Sequence, residues 1–120
     1  MRVFAVLTLV LAEPASAQSG LSAAEAALFR SDVASCWMVT QGAAKVVLRF
    51  SLDRNGWPDE GSIKLVKNGV GTAQAVEHSF KAAKRAVLRC GQAGYTLPVE
   101  KYEQWRDIEL KFDPERTILR

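Results

Sequence analysis

Cys36 and Cys90 are the only two cysteines in this chain of 120 residues, and they constrain its fold more than any other feature. A pair of thiols in an exported domain is most simply one disulfide. Each cysteine lies at the last apolar position of a predicted helix. The bond would therefore join the ends of two helices and bring both to the same end of a sheet that they cover.

Residues 1–17 have the pattern of a cleavable signal peptide. Arg2 supplies a positive charge, an apolar run covers 3–12, and Ala15-Ser16-Ala17 matches the small-x-small cleavage pattern. The run is far shorter than the ~20 residues that span a bilayer. These marks argue against the alternative, a buried helix at the true N-terminus. We expect an exported mature domain over 18–120, without a transmembrane segment.

The net charge of the chain gives little reason to expect a nucleic-acid partner. The formal charge is +3, and loss of residues 1–17 would remove one basic and one acidic side chain. A balance of this size suggests an acidic protein surface only weakly. The basic side chains of the second predicted helix are most simply a solvated face: Lys81, Lys84, Arg85 and Arg89.

The first helix is predicted to begin after Ser22. Ser22 and Glu25 have the spacing of a capping box, in which each side chain bonds to the backbone N–H of the other. Apolar residues then recur at three- and four-residue steps, namely Ala26, Phe29, Val33 and Cys36. This spacing is typical of a helix with one buried face.

A β-hairpin is predicted next. Side chains over residues 45–53 alternate between two faces, and one face carries Val46, Leu48, Phe50 and Leu52. Residues 53–56 end in Asn-Gly, which accepts positive φ at little cost. Residues 62–67 are predicted as the second strand, with Ile63 and Leu65 facing inward.

The second helix is the clearest element of the chain. Thr72 is a natural N-cap, and Gly91 is expected to end the helix. The apolar positions keep helical spacing: Ala73, Val76, Phe80, Ala83, Val87 and Cys90.

After a short helical turn over 98–105, the third strand is predicted with an apolar and a charged face. Ile108, Leu110 and Phe112 face inward, while Asp107, Glu109, Lys111 and Asp113 face outward. Antiparallel pairing with the first strand sets Lys45 and Arg49 against Glu109 and Asp113. The first strand is therefore predicted in the middle and the third at an edge. The order α-β-β-α-β indicates a two-layer α+β sandwich, with a three-stranded antiparallel sheet covered by helices on one face.

No catalytic set stands out in the sequence. His78 is the only histidine and is expected to be exposed. A zinc site needs three or four Cys, His or carboxylate ligands, which the chain does not supply together. The glycine-rich segment 68–72 precedes a helix but has no P-loop lysine, and is better explained as a flexible loop. We expect no enzyme activity, no metal, no cofactor and no small-molecule substrate.

Several aromatic residues lie in the connections: Trp37, Trp57, Tyr95, Tyr102 and Trp105. For each of them the simpler interpretation is a cap on the core of a small domain. The functional alternative is an anchor for a partner peptide.

The chain after residue 17 resembles the C-terminal domain of TolA proteins, within the wider TonB/TolA C-terminal family. The matching stretches are Cys36-Trp37, residues 46–58, residues 80–91 that end in Arg89-Cys90-Gly91, residues 94–98, Tyr102, Trp105 and residues 108–114. Each stretch alone is weak. The ordered set, with the second cysteine closing a helix, is fairly specific to TolA-like domains.

The resemblance implies a non-enzymatic periplasmic binding domain of the Tol-Pal envelope system. TolA-like domains bind partners such as TolB, and colicin and phage domains exploit the same surface. Family members accept a partner strand at a sheet edge, which agrees with the third strand as an open edge. The implied binding residues are the six of that strand: Asp107, Ile108, Glu109, Leu110, Lys111 and Phe112.

Full TolA proteins carry a membrane anchor and a long helical arm before this domain, whereas here residues 1–17 run almost directly into Ser22. We therefore expect a stand-alone periplasmic adaptor that engages a TolB-like peptide. The alternative is a secreted decoy or inhibitor that uses the same fold against a colicin- or phage-like partner. The open edge also allows either a monomer or an edge-paired dimer.

Overall fold

The computed structural model describes residues 21–67 and 71–114. The proposed signal peptide and residues 68–70 of the glycine-rich segment lie outside these ranges. Along the chain the elements are α1 (Ala23–Ser35), β1 (Val46–Ser51), a 3-10 turn (Glu60–Ser62), β2 (Lys64–Lys67), α2 (Ala73–Cys90), a second 3-10 turn (Val99–Lys101), α3 (Tyr102–Trp105) and β3 (Asp107–Phe112).

The sheet is antiparallel with the strand order β2-β1-β3, which confirms the predicted central and edge strands. One of the charge pairs that motivated the prediction, Arg49 with Glu109, is formed. Arg49 lies opposite Glu109, and their side chains form an ion pair of 3.6 Å. The chain is thus a small α+β domain with a three-stranded antiparallel sheet.

The capping box of α1 is formed as predicted. The Glu25 N–H donates to Ser22 Oγ at 3.0 Å, and the Ser22 N–H donates to Glu25 Oε1 at 2.9 Å. Phe29 and Val33 are buried on the inner face of the helix. The spacing of apolar residues therefore identified this face correctly.

The hairpin turn is confirmed, but its second strand begins later than predicted. The Gly56 N–H donates to the Asp53 carbonyl at 2.9 Å, and Gly56 has φ of +82°. Residues 60–62 form a 3-10 turn, and β2 starts only at Lys64. The cause is a competing side-chain bond, since Ser62 Oγ accepts from the Ser51 N–H at 2.8 Å in place of a strand partner.

The second helix begins at the predicted cap, where Thr72 Oγ1 accepts from the Ala75 N–H at 3.0 Å. Its buried residues are Val76, Ser79, Ala83, Ala86 and Val87, whereas Ala73 is exposed, contrary to prediction. Ser79 is a buried polar residue that helical spacing did not single out. Its hydroxyl accepts from the Ala44 N–H at 2.8 Å and so holds the segment that leads into β1.

Gly91 ends α2 as predicted, but not through a left-handed conformation. Its φ is −91°, which other residues adopt readily. A Cβ at this position would lie 2.7 Å from the Cδ and Cγ atoms of Pro58. Glycine is therefore required here because Pro58 packs against the backbone.

One apolar core joins the sheet and the helices. Buried side chains of β1 and β3 belong to the same cluster as those of α1 and α2, including Val46, Leu48, Phe50, Phe112, Phe29, Val33 and Val87. The opposite side of the sheet is polar, since Arg49, Glu109 and Lys111 are exposed. Alternation along the strands produces both faces.

The predicted disulfide joins Cys36 to Cys90, with 5.8 Å between the two Cα atoms. Cys36 follows the last residue of α1, and Cys90 is the last residue of α2. The bond therefore holds the C-terminal ends of the two helices together.

Most of the connecting aromatic residues do cap the core. Trp37, Tyr95 and Trp105 are buried, and Tyr102 is half-buried. Burial raises the pKa of the Tyr95 phenol, whose hydroxyl donates to the Val87 carbonyl at 2.7 Å. Trp57 differs from the other four, since 51% of its surface is exposed.

Candidate functional site

The site that the structure brings together is the outer edge of β3. All six residues implied by the sequence, Asp107 to Phe112, lie in this strand and pair with β1 in unbroken register. Within residues 21–67 and 71–114, no strand pairs with the other side of β3. The six residues therefore form one continuous edge.

The hydrogen-bond pattern divides these six residues into two sets. The Leu52 N–H donates to the Arg106 carbonyl at 2.8 Å, and these residues lie one step beyond the pair Ser51 and Asp107. In an antiparallel ladder, hydrogen-bonded pairs alternate with non-hydrogen-bonded pairs. Every second residue from Arg106 onward therefore directs its backbone N–H and C=O groups toward β1. These residues are Ile108, Leu110 and Phe112.

The other three residues of β3, Asp107, Glu109 and Lys111, consequently direct their N–H and C=O groups away from β1. The backbone of β1 supports this assignment. Ser51, opposite Asp107, donates its N–H to Ser62 Oγ and accepts from the Asp59 N–H, both on the β2 side. We call the backbone groups of Asp107, Glu109 and Lys111 the outer ladder.

The start of β3 is held by α3 and the residues before it. Trp105 is 1% exposed, and its indole N–H donates to the Pro98 carbonyl at 2.7 Å. The Tyr102 hydroxyl donates to the Leu52 carbonyl at 2.9 Å, and its ring packs edge-on against Trp105. These contacts fix the direction in which the chain enters the strand.

A second contact ties this region to α1. Lys101 Nζ lies 3.1 Å from Glu25 Oε1. The backbone N–H of Ser22 and then the Lys101 ammonium lower the pKa of the Glu25 carboxyl below its ordinary value. Glu25 thus caps α1 and anchors the segment before β3 with one carboxylate.

The end of β3 is held by the disulfide through one aromatic contact. Trp37 follows Cys36 directly, and its ring packs edge-on against Phe112 with 5.1 Å between the centroids. Ser35 Oγ lies 3.4 Å from Cys90 Sγ at the same junction. The bond between the helices therefore fixes the position of the ring that covers Phe112.

The solvent side of β3 carries charged side chains at alternate positions of the strand. Asp107 accepts from Ser51 Oγ at 2.8 Å, and Glu109 pairs with Arg49. Lys111 is the cation of the strand and is exposed. A strand added at this edge would meet two carboxylates and one ammonium group beside the outer ladder.

The other sequence candidates do not converge on a chemical site. His78 is exposed in an open groove of about 490 Å³, lined also by residues 40–43, Thr72, Gln74 and Ala75. His78 is the one titratable side chain among those that line the groove. Asp59 caps the first 3-10 turn by accepting from the Gly61 N–H at 3.1 Å.

Residues 21–67 and 71–114 offer neither a cluster of metal ligands nor a helix that could cross a membrane. No group of three or more His, Cys, Asp or Glu side chains could hold a metal ion in that part of the chain. Over the same ranges, no helix has the length and apolar character needed to cross a bilayer.

Sequence reasoning missed the division of the edge into two sets, and also the role of Tyr102 in tying α3 to the end of β1. Alternation of side chains identifies faces but not the direction of backbone groups. The spacing from Pro98 to Trp105 did predict a helical turn, which is the one signal that pointed to these contacts.

No family model, no curated protein and no solved structure matches this chain.

Proposed function

We propose that this chain is a non-enzymatic periplasmic protein-binding domain of the Tol-Pal, cell-envelope type. In this proposal it binds a peptide segment of a TolB-like partner as an additional strand on β3. The observation that carries the proposal is the outer ladder at Asp107, Glu109 and Lys111, which no strand among residues 21–67 and 71–114 occupies. Such an edge is a template for strand addition.

The mode of binding and the class of partner are supported by different observations. The outer ladder supports the mode of binding. The resemblance of the sequence to TolA-like domains supports the class of partner and the envelope system.

The edge at β3 is a better template than the edge at β2. β3 has six residues in unbroken register with β1. β2 has four residues, and its register with β1 shifts between Val47 and Leu48. A bulge of this kind disrupts the ladder and increases the local twist, which discourages further pairing.

The faces of β3 indicate the pattern of the partner segment. Alternate side chains of an added strand would lie beside Ile108 and Leu110 on the core side, where apolar groups are favoured. The remaining side chains would lie beside Glu109 and Lys111 on the solvent side, where charged groups are favoured. We therefore expect an extended segment with alternating apolar and charged residues.

Overlapping synthetic peptides that cover a TolB protein test this proposal. Each is titrated into ¹⁵N-labelled protein while the amide chemical shifts are recorded. We expect one peptide to shift the amides of Asp107, Glu109 and Lys111 more than those elsewhere. Binding that leaves all amides of 107–112 unchanged would contradict the site.

Backbone methylation of the binding peptide provides the control. N-methyl groups at the positions whose N–H faces the outer ladder should abolish binding, because each removes a donor and adds steric bulk. N-methyl groups at the intervening positions should leave binding measurable. Equal loss in both peptides would argue against strand addition.

A further inference from the structure

We propose that the outer face of α2 is a docking surface for membranes that carry anionic phospholipids. Four cations define this face, Lys81, Lys84, Arg85 and Arg89, and we call them the basic stripe. The stripe is separate from the outer ladder of β3, so this docking surface does not depend on the proposed function.

Helical spacing places the four cations together on the outer side of α2. Steps of three or four residues separate Lys81 from Lys84 and Arg85, and Arg85 from Arg89. Lys81, Arg85 and Arg89 are exposed, and Lys84 is half-buried. With a rise of about 1.5 Å per residue, the stripe extends for about 12 Å along the helix. The opposite face of the helix packs against β1.

The basic stripe has little compensating negative charge in the domain. Lys81 pairs with Glu77, one turn earlier in the helix, at 3.4 Å. Among the residues that the structure describes, no carboxylate forms an ion pair with Lys84, Arg85 or Arg89. No acidic residue follows Glu77 in α2. The stripe thus brings together four positive charges beside a single negative charge.

Stability of the helix does not account for this clustering. Like charges three or four residues apart destabilise a helix, and the stripe contains three such pairs. The negative end of the helix dipole favours cations only within the last turn, where Arg89 is the basic residue. A solvated face, the simplest interpretation of the sequence, needs charge but not charge of one sign. An anionic surface outside the protein would offset the repulsion.

The shape of the stripe favours a membrane as that anionic surface. The stripe lies on the convex side of a helix, whereas the groove that contains Thr72 and His78 lies at the other end of α2. A convex row of long, flexible side chains does not enclose a peptide or an isolated phosphate. A bilayer presents many mobile anionic headgroups, which can meet all four cations at once.

The binding would be peripheral, without insertion of the helix. The apolar face that could enter a bilayer is already used, since Val76, Ala83 and Val87 are buried in the core. Attraction between the basic side chains and anionic headgroups must therefore supply the affinity. Salt screens this attraction, to within about 10 Å at 0.1 M and about 3 Å at 1 M. Binding should consequently require anionic lipid and be reversed by salt.

Docking at the stripe leaves the edge of the sheet accessible. α2 packs on the central strand β1, and the outer ladder lies on the edge strand β3. The stripe points away from the sheet, whereas backbone groups of an edge strand point along the plane of the sheet. A domain bound to a membrane could therefore still accept a partner strand.

Sedimentation with vesicles tests the inference on the purified full chain. The anionic vesicles contain equal parts of phosphatidylglycerol and phosphatidylcholine, and the neutral vesicles contain phosphatidylcholine alone. We expect binding to the anionic vesicles and release in molar salt. Any attachment through the apolar run at 3–12 would be common to all variants, and it would also occur on neutral vesicles.

Two double variants separate the stripe from the net charge of the chain. K84Q/R85Q removes two unpaired cations of the stripe and should weaken binding about 25-fold, since each basic side chain near an anionic surface contributes about fivefold. K45Q/K64Q is the matched control, because it removes the same charge from exposed lysines outside α2. Its binding should stay close to that of the wild type.

Glu77→Gln should strengthen binding. It removes the carboxylate beside the stripe and releases Lys81 from its ion pair, so we expect a gain of up to about fivefold. Loss of the fold cannot produce such a gain. Circular dichroism confirms that each variant is folded, and R89Q, with an expected loss of about fivefold, replaces K84Q/R85Q if the latter is not.

Three results would overturn the inference. The first is equal binding to neutral and anionic vesicles. The second is an equal loss in K84Q/R85Q and K45Q/K64Q, or no gain in E77Q. The third is binding to soluble polyglutamate without binding to anionic vesicles, which would assign the basic stripe to an acidic protein.

Discussion

Removal of the disulfide should cost this domain a large part of its stability. Cys36 and Cys90 are 54 residues apart in the sequence. For a closed loop of this length, the chain-entropy relation gives about 4 kcal/mol of stabilisation. The total free energy of unfolding of a small domain is roughly 5–15 kcal/mol. We expect the double variant C36A/C90A to fold with a much lower denaturation midpoint.

The structure also indicates where the loss should appear first. Trp37 follows Cys36, and its ring packs against Phe112 at the end of β3. Without the bond, the C-terminal ends of α1 and α2 lose their link, and the ring is less firmly held. Amides near Phe112 should therefore exchange faster in C36A/C90A, while those of the central strand β1 change less.

Urea denaturation followed by circular dichroism measures the effect, with and without a phosphine reductant. Wild-type protein should lose stability in the reductant and approach the curve of C36A/C90A. The double variant is its own control, since the reductant should not change its curve. A loss of unfolding free energy of no more than about 0.5 kcal/mol is the size of an ordinary surface substitution. Such a loss would refute the claim that the disulfide contributes a large part of the stability.

Three further substitutions test other contacts by denaturation or thermal melting. Trp105→Ala removes a buried indole with its hydrogen bond and should cost about 3–5 kcal/mol; a loss under about 1 kcal/mol would mean that α3 does not hold β3. Gly91→Ala should cost about 1–3 kcal/mol, because its Cβ would overlap Pro58, and a neutral result would contradict that close packing. Glu25→Gln should destabilise at neutral pH. The helix N-cap N–H and Lys101 lower the pKa of Glu25, so its contribution is present above its ordinary pKa and disappears as the pH falls through the lowered value. The two melting curves should therefore converge in acid, and a constant difference would contradict the account.

The strand order could be predicted because side-chain patterns carry it. Alternation assigns Leu48 and Leu110 to one face, and charge assigns Arg49 to the strand beside Glu109. The cap of α1 was equally accessible, since Ser22 and Glu25 form it within one turn. These features depend on neighbours in sequence or on a simple match of charges.

The division of the edge could not be predicted, because both hydrogen-bond patterns are compatible with the same alternation and the same charge pairs. The bond from the Leu52 N–H to the Arg106 carbonyl decides between them. The reason for glycine at position 91 was also hidden, since it depends on Pro58, which is distant in sequence. The exposure of Trp57 could not be predicted either, because this residue lies in a connection and belongs to no helical or strand pattern.

Hydrogen exchange at single residues of β3 tests the central claim most directly. In the dilute monomer, the amides of Ile108, Leu110 and Phe112 should be protected, whereas those of Asp107, Glu109 and Lys111 should exchange quickly. When a partner strand binds, the second set should become protected and the first should change little. If the two sets exchange alike in the monomer, or if binding protects neither Glu109 nor Lys111, the outer ladder is not the binding edge.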